Sequence, residues 1–408
     1  MSYHPELLSP AGDMEKLKMA VSYGANAVYL AGHQFGMRAG TSNFSDQELE
    51  QALKYCHSHG VKAYITCNTI PSNEEIRNLP SFLELLEKIG ADGVIVADLG
   101  VISLCKKYCP SVDIHASTQV GIMNSETAKA LYDLGAKRIV LARETSLKDI
   151  ASMREQLPDD LQIEAFCHGS MCVSFSGRCL LSTYLTGRDA NRGMCAQPCR
   201  WKYHLVEENR PGEYYEITED GGTFILNSKD LCTIHIIPSL IEAGVNSLKI
   251  EGRTKSSYYV ASTTAAYRHA IDAYESRMPL AHEWYQEVEM VSHRPYSTGF
   301  YLSPAQQYPE NSSYISSCDV IGIVSESDTN GNTRIIQRNR FYANDEVNIL
   351  TPDGHVYTLN IGQLCDEQGA TIECANHAQM VVIAHLPFSV PTDSFIRKIR
   401  SDPTVKSV

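Results

Sequence analysis

The sequence predicts an α/β protein: a (β/α)8 barrel of the TIM type, followed by a small antiparallel β domain that resembles a β-barrel. The first observation is that short apolar runs alternate with helical stretches, which is typical of a parallel sheet. The second is that YGANAVYL, IGADGVIV, LGAKRIVL and AGVNSLKI each place a glycine where a helix should end before the next strand. The third is a change to closely spaced alternating strands from Asp319 onward.

Eight strands are predicted for the barrel, and all but the last two follow each other at about one helix length. They are ELLSPA (6–11), AVYLA (27–31), KAYITCN (62–68), GVIVAD (93–98), DIHASTQ (113–119), RIVLARE (138–144), IEAFCHG (163–169) and SLKIEG (247–252). An open doubly wound sheet is the alternative. Closure is favoured because eight units follow one another and no G-x-G-x-x-G opens the first helix.

The barrel is expected to span residues 1–280 and to include a cysteine-rich insertion over 167–246. Residues 281–318 are rich in Pro, Ser and Tyr and are interpreted as an irregular connector. The small β domain then covers 319–400, with TNGN and PDG turns between its strands. Its predicted strands are DVIGIVSES, TRIIQRN, DEVNIL, HVYTLNI, TIECAN and MVVIAHL.

Composition and charge restrict the class of protein. The 408 residues carry a formal net charge of −13, which argues against the wholly basic surface that indiscriminate nucleic-acid binding needs. No apolar run approaches the ~18 residues of a membrane span, and the first residues lack a secretory pattern, so we expect a cytoplasmic protein and no membrane partner. A local basic groove remains open, with candidate residues Arg334, Arg338 and Arg340, or Arg397, Lys398 and Arg400.

The thirteen cysteines are expected to be thiols, because disulfides are rare in a reducing compartment. Five of them fall within 167–199, and Cys232 follows. The spacings C-x4-C, C-x6-C and C-x3-C overlap irregularly, whereas zinc favours paired C-x2-C knuckles. Spacing alone therefore leaves three alternatives open, which are an iron–sulfur cluster, a zinc site and inert thiols. Their position between the last two barrel strands, on the face where barrel enzymes keep their chemistry, favours a metal centre. Nearby cations that can offset the charge of a cluster are Arg178, Arg188, Arg192 and Arg200.

Three passages resemble the U32 peptidase family: ELLSPAGDMEKLKMAVSYGANAVYLAG, FCHGSMCVSFSGRCLLSTYLTGRDANRGMCAQPCRWKY and LKIEGRTKSSYYVA. The resemblance runs over essentially the whole chain. CAQPCRWKYHLVEE, NSKDLC and the appended β domain are most similar to the branch associated with tRNA hydroxylation. The resemblance implies an RNA-modifying enzyme that forms 5-hydroxyuridine at the wobble position of tRNA, independently of oxygen and dependent on prephenate.

The same resemblance implies a 4Fe-4S cluster and its ligands. In relatives that carry the cluster, the ligand pattern falls on the positions of Cys172, Cys179, Cys195 and Cys232, whereas Cys167 and Cys199 lie outside it. Prephenate, a small dicarboxylate, is the implied co-substrate, and the anticodon region of tRNA is the implied macromolecular partner. The sequence leaves open whether the chain forms a homo-oligomer or binds a paralogous partner subunit.

Polar residues at strand ends are the other site candidates, because a barrel enzyme keeps its chemistry where its strands end. Guanidinium and ammonium groups suit the carboxylates of prephenate, and carboxylates or histidine suit proton transfer. For Asp98 and Gln119, helix capping is an equal alternative. The candidates for substrate binding are Asn68, Asp98, Gln119, Arg143, Lys249 and Arg253, and those for proton transfer are Glu144, His168 and Glu251.

Two other functions remain open. The first is a U32-type, collagenase-like peptidase. The sequence contains no H-E-x-x-H or G-x-S-x-G motif that would support it, although Cys172 and His168 lie close enough in sequence to resemble a catalytic Cys–His pair. A non-catalytic RNA-binding or cluster-carrying scaffold is the second. For an RNA ligand, Trp201 and Tyr203 are candidate stacking residues, and the small β domain is a candidate for holding the tRNA body.

Overall fold

The computed structural model confirms both parts of the predicted fold, a closed parallel barrel and a C-terminal antiparallel sheet. The structure describes residues 4–37, 43–175, 178–201, 205–206, 214–215, 227–305, 308, 314–402 and 404–405. Among these residues, no helix combines the length and apolarity that crossing a lipid bilayer requires.

The barrel contains eight parallel strands, as predicted. They are β1 Glu6–Pro10, β2 Ala27–Leu30, β3 Lys62–Cys67, β4 Gly93–Val96, β5 Asp113–Ala116, β6 Ala136–Val140, β7 Gln162–Gly169 and β8 Ser247–Ile250. Each strand pairs with the next, and β8 also pairs with β1 through Leu7 and Leu248, which closes the barrel. The strands are nearly all buried because helices cover their outer face.

Most helices begin at a side chain that accepts a hydrogen bond from the first turn, such as Asp13, Ser45, Asn124 and Ser146. The α-helices are α1 Met14–Ser22, α2 Asp46–Ser58, α3 Leu79–Ile89, α4 Leu99–Tyr108, α5 Ser125–Asp133, α6 Leu147–Arg154, α7 Leu181–Thr186, α8 Ile237–Glu242, α9 Ser257–Glu275 and α10 His282–Met290. Short 3-10 helices cover Glu75–Arg77, Thr118–Val120, Ala190–Arg192, Pro198–Arg200 and Ile234–Ile236.

Two short strands extend the barrel sheet beside β7. Asp230–Cys232 pairs antiparallel with β7, and Tyr296–Ser297 pairs parallel with Asp230–Cys232. The other short strands outside the two main sheets form the pairs Leu205–Val206 with Tyr214–Tyr215 and Tyr314–Ile315 with Thr404–Val405. The cysteine-rich insertion therefore returns to the barrel directly beside the end of β7.

The C-terminal domain is an antiparallel sheet with its own apolar core. Its eight-stranded sheet has the spatial order Val356–Asn360, Glu346–Leu350, Phe395–Ile399, Cys318–Ser327, Asn332–Gln337, Val381–His385, Leu364–Cys365 and Thr371–Ile372. Phe341–Tyr342 and Cys374–Ala375 pair separately. The strand Phe395–Ile399 was not predicted, although it lies centrally between two others.

The segment interpreted as an irregular connector contains α10, which joins the barrel to the β domain. The Trp284 ring on α10 stacks on the His269 ring of α9, with centroids 3.9 Å apart. Glu287 on the same helix accepts a hydrogen bond of 2.8 Å from Nη2 of Arg397. Arg397 is only 1% exposed, so this residue does not belong to a basic surface groove as expected from the sequence.

Loss of the Glu287 carboxylate is expected to destabilise this contact strongly. Glu287→Ala leaves Arg397 buried without its counter-charge, which typically lowers the free energy of unfolding by about 3–5 kcal/mol. Denaturant unfolding measures the loss. The matched control is Glu289→Ala, on the exposed side of the same helix, which should change stability by no more than about 0.5 kcal/mol. Equal effects of the two variants would contradict the assignment.

Candidate active site at the barrel mouth

A cavity of about 450 Å³ opens at the carboxyl ends of the barrel strands. This is the face on which barrel enzymes keep their chemistry, because loops from all strands meet there. The cavity brings together nine of the candidate residues, namely Asn68, Gln119, Arg143, Cys172, Cys179, Cys195, Lys249, Glu251 and Arg253. Residues far apart in sequence therefore surround one space.

One wall of the cavity is cationic. The guanidinium of Arg143 lies 4.0 Å from the centroid of the Phe166 ring, and Nζ of Lys249 lies 5.6 Å from the same ring. Arg253 donates hydrogen bonds to Asn43 at 2.5 Å and to Thr66 at 3.3 Å. Aromatic faces and hydrogen bonds hold these cations in place, so the wall is preorganised to bind carboxylates.

A buried ionic network below the cavity holds Lys249. Glu164, which is fully buried, accepts hydrogen bonds from Lys249 at 2.7 Å and from Arg138 at 3.1 Å. Arg138 also donates to Glu6 at 2.6 Å. Burial alone would lower the pKa of Arg138, but Glu6 and Glu164 raise it above its ordinary value. Two carboxylates thus hold two cations, and Glu164 determines where the ammonium of Lys249 lies.

Three thiols line the opposite part of the cavity. Cys172 and Cys195 are exposed to it, and Cys179 is half-buried. Sγ of Cys179 accepts a hydrogen bond from the amide of Leu181 at 3.4 Å, and Sγ of Cys195 accepts one from the amide of Gln197 at 3.3 Å. Backbone amides directed at sulfur stabilise thiolates and are typical of cysteines that bind iron–sulfur clusters.

Cys232, the fourth predicted ligand, does not line this cavity. Its Sγ lies 3.8 Å from the Tyr267 hydroxyl on α9, and burial raises its pKa to about 11. Cys199 does not line this cavity either. Burial raises the pKa of Cys199, Arg200 opposes that rise, and the nearby thiols Cys172 and Cys195 add to it.

The thiols are the donors available for a metal centre at the barrel mouth. Within the described part of the chain, no three His, Cys, Asp or Glu side chains lie close enough together to hold a single metal ion. Cys172, Cys179 and Cys195 nevertheless line one cavity of about 450 Å³. Sulfur donors with amide hydrogen bonds and a neighbouring arginine, Arg200, fit the chemistry of an iron–sulfur cluster better than that of a single ion.

His168 is buried outside the cavity, which corrects its assignment to proton transfer. Regular alternation along β7 would place Phe166 and His168 on the same face. However, Phe166 pairs with Lys249 and His168 pairs with the next residue, Ile250, so β7 contains one extra residue, Cys167. This β-bulge turns His168 away from the barrel mouth and towards the covering helices.

The imidazole of His168 is fully engaged by tyrosines. Its Nδ1 lies 3.2 Å from the Tyr267 hydroxyl and its Nε2 lies 3.4 Å from the Tyr296 hydroxyl. Burial lowers the pKa of His168 to about 3. The ring is therefore neutral near neutral pH and is part of the packing between β7 and α9.

This burial predicts a pH dependence of stability. Between pH 6.5 and 3, the unfolded chain binds a proton at His168 that the folded chain does not, so stability falls as pH falls by up to ~1.4 kcal/mol per pH unit. Denaturant unfolding of wild type and His168→Gln from pH 7 to pH 5 measures this slope. The variant should show the smaller slope below pH 6.5. Parallel curves would show that His168 is protonated in the folded state.

Two more candidates lie elsewhere. Asp98 Oδ1 accepts a hydrogen bond of 3.1 Å from the amide of Val101, so Asp98 caps α4, and the capping alternative describes its placement. Glu144 lines a second, smaller cavity, which meets the first at Met171 and Cys172. Neither carboxylate lies in the larger cavity.

Sequence reasoning missed several residues of the larger cavity. Lys255 follows β8 by the same rule that identified Arg253, and its Nζ lies 5.1 Å from the Tyr314 ring centroid. Arg200 donates a hydrogen bond of 2.7 Å to the Tyr314 hydroxyl. Tyr314 belongs to the predicted connector, where no strand-end signal marked it.

The insertion presents an aromatic and basic surface beside the cavity. Residues 170–201 contain four arginines and one acidic residue, although the chain as a whole has a net charge of −13. Trp201 is 44% exposed, whereas Tyr203 lies outside the described residues. The exposed large apolar side chains of this segment, which we call the insertion face, are Phe175, Leu180, Tyr184, Leu185, Met194 and Trp201.

Comparison with known proteins places this architecture in context. A family model described as peptidase family U32 matches residues 12–311, and a model of the C-terminal domain of that family matches 316–397. A "tRNA hydroxylation protein P1" of Bacillus subtilis is 37% identical, over 97% of this chain and 94% of the relative. A "tRNA hydroxylation protein P" of Escherichia coli is 34% identical over 88% of each chain. An "Uncharacterized protease" of Methanocaldococcus jannaschii is 42% identical over 73% of each chain.

Proposed function

Because the chain belongs to peptidase family U32, we propose that it is a tRNA hydroxylase that forms 5-hydroxyuridine at the wobble position. The observation that carries the proposal is one cavity lined by three cysteine thiols and a preorganised cationic wall. The names of the Bacillus subtilis and Escherichia coli relatives, which match nearly the whole chain, support tRNA as the substrate.

We assign a 4Fe-4S cluster to the thiols of this cavity. Cys172, Cys179 and Cys195 would hold it, with Cys232, the fourth ligand that the sequence resemblance implies, or else Cys199 completing the set. A bound cluster would supply electron-transfer chemistry at this site. Its anionic charge would be offset by backbone amides and by Arg200.

The cationic wall suits a dicarboxylate co-substrate, and prephenate is the one that we propose, in a reaction independent of oxygen. Arg143 and Arg253 present planar guanidinium groups that bind carboxylates in bidentate fashion, and Lys249 adds a point charge at the floor. Glu251 is the carboxylate of this cavity and is suited to accept a proton during the reaction. Substrate orientation would thus come from residues at three different strand ends.

The insertion face suits the single-stranded part of a tRNA. Single-stranded RNA is recognised by aromatic side chains that stack on its bases and by arginines that contact its phosphates. Tyr184, which is 79% exposed, and Trp201 offer aromatic faces, and Arg188 is exposed between them in sequence. An anticodon loop bound there would lie beside the cavity into which its wobble base must turn.

A peptidase is less consistent with the geometry. Hydrolysis by a cysteine requires a base within hydrogen-bond reach of the nucleophile. Both ring nitrogens of His168 face tyrosine hydroxyls, and its pKa is lowered to about 3 by burial. The His168 imidazole therefore cannot activate Cys172 as a nucleophile.

Deletion of the gene, followed by mass spectrometry of tRNA nucleosides, tests the proposal. The strain must lack any second route to 5-hydroxyuridine. We expect the modified nucleoside to disappear, to return with the wild-type chain and to stay absent with Cys195→Ser. Unchanged 5-hydroxyuridine in the deletion strain would remove the assignment.

A further inference from the structure

A second cavity of about 240 Å³ lies behind the thiols, and the proposed function gives it no role. It shares Met171 and Cys172 with the larger cavity. Its size lies at the small end of the range for ligand pockets, which suits a single ring better than a larger ligand. Cys172 therefore faces two compartments.

Two aromatic rings line the smaller cavity. Phe300 is held between Gly299, whose φ of +58° and packing against Leu231 disfavour a side chain, and Tyr301, which donates a hydrogen bond of 2.6 Å to the carbonyl of Phe166. Phe175, which also belongs to the exposed insertion face, lies against Gly121. Aromatic rings of this kind are suited to stack on a planar base.

The polar groups of the smaller cavity balance in charge. Glu144 supplies a carboxylate, Lys229 an ammonium group, and Ser228 and Ser297 supply hydroxyls. The larger cavity, in contrast, is lined by Arg143 and several other cations. A neutral ring is therefore expected in the smaller cavity and an anion in the larger one.

We propose that the smaller cavity receives the uracil ring of the RNA substrate, while the larger cavity binds the dicarboxylate, so that Cys172 separates the two reactants. This inference rests on the proposed function and deepens it. The Watson–Crick edge of uracil presents an N–H donor between two carbonyl acceptors. Glu144 matches the donor, and Lys229 or a serine hydroxyl matches the acceptors.

Glu144 is then a specificity residue. Cytosine has an acceptor nitrogen where uracil has its N–H, so a carboxylate in that position binds uracil and repels cytosine. Glu144 is half-buried, and a carboxylate that faces an acceptor instead of a donor is a basis for rejection of the wrong ligand. The predicted discrimination depends on Glu144 and not on the cations of the larger cavity.

Photocrosslinking locates the base without relying on turnover. The probe is an anticodon stem-loop RNA with 4-thiouridine at the wobble position, irradiated with the anaerobically purified protein and followed by peptide mass spectrometry. Crosslinks are expected at Phe300 or Phe175, which line the smaller cavity and not the larger one. Crosslinks at Phe166 or Tyr29, which line the larger cavity, would overturn the proposal, and so would the absence of a wobble-specific crosslink.

Kinetics of Glu144→Gln provide the second test. We expect the KM for the RNA to rise roughly 5-fold, because the amide oxygen of Gln accepts the uracil N–H more weakly than a carboxylate does, while the KM for prephenate and the iron content stay unchanged. The matched control is Glu155→Gln, an exposed residue that should change neither KM. A rise confined to the KM for prephenate would overturn the proposal.

The proposed function and the proposed location of the base can be disproved independently of each other. If deletion leaves 5-hydroxyuridine unchanged, the proposed function fails. If deletion removes it but the crosslinks map to Phe166 or Tyr29, the function stands and only the location of the base is wrong.

Discussion

Anaerobically purified Cys195→Ser protein is expected to contain almost no iron, whereas the wild type is expected to contain a full 4Fe-4S cluster per chain. Serine preserves the volume of the side chain but offers a poor ligand to iron in such clusters, which are held by thiolates. Cys195 is exposed to the cavity, and its sulfur accepts the amide hydrogen bond of Gln197, so the fold does not depend on the thiol itself. Iron content and visible absorption measure the loss, and an unchanged melting temperature of the iron-free proteins shows that folding is intact.

The fourth ligand is decided by comparing two further variants. Cys232→Ser is expected to lose the cluster and Cys199→Ser to retain it, because the sequence resemblance implies Cys232 as a ligand and leaves Cys199 outside the ligand pattern. Cys365→Ser in the β domain is the control and should retain all of its iron. Loss of iron from Cys199→Ser with full iron in Cys232→Ser would make Cys199 the fourth ligand instead.

Lys249→Met is expected to weaken binding of the dicarboxylate by roughly 100-fold or more. Truncation of one partner of a buried charge pair costs 2–5 kcal/mol or more, and Lys249 is only 5% exposed at the floor of the cavity. The expected result is a large rise in the KM for prephenate, with the KM for tRNA nearly unchanged. Steady-state kinetics with each substrate varied in turn measures both values.

A loss of folding must be separated from a loss of binding. Lys249→Met leaves the buried carboxylate of Glu164 with Arg138 as its remaining charged partner. The double variant with Glu164→Gln removes that excess charge, so it should recover stability and still fail to bind prephenate. Lys62→Met, at the opposite end of the barrel, is the control and should bind normally. A normal KM for prephenate in Lys249→Met would remove the cationic wall from the proposed mechanism.

The barrel was predictable because it repeats. Each β/α unit has its own apolar run and its own glycine at the helix end, and parallel strands bring their carboxyl ends to one face. For that reason a simple rule based on strand ends identified Asn68, Gln119, Arg143, Lys249 and Arg253 as neighbours. The rule needs only regular alternation and a closed sheet.

The remaining errors have physical causes that a single sequence does not display. The strand Phe395–Ile399 was missed because Arg397 and Lys398 make it look polar, whereas Glu287 neutralises Arg397 in the interior. His168 was misplaced because the extra residue in β7 interrupts the alternation that the rule assumes.

That single unpaired residue has a consequence for how the chemistry of this barrel can change. One extra residue in β8 between Lys249 and Ile250 would pair with Cys167, restore regular alternation and swing the His168 imidazole from the helix layer to the mouth. A group that can exchange protons would then line the larger cavity, although no side chain would have been substituted. In this fold, whether histidine takes part in catalysis is decided by the length of one strand.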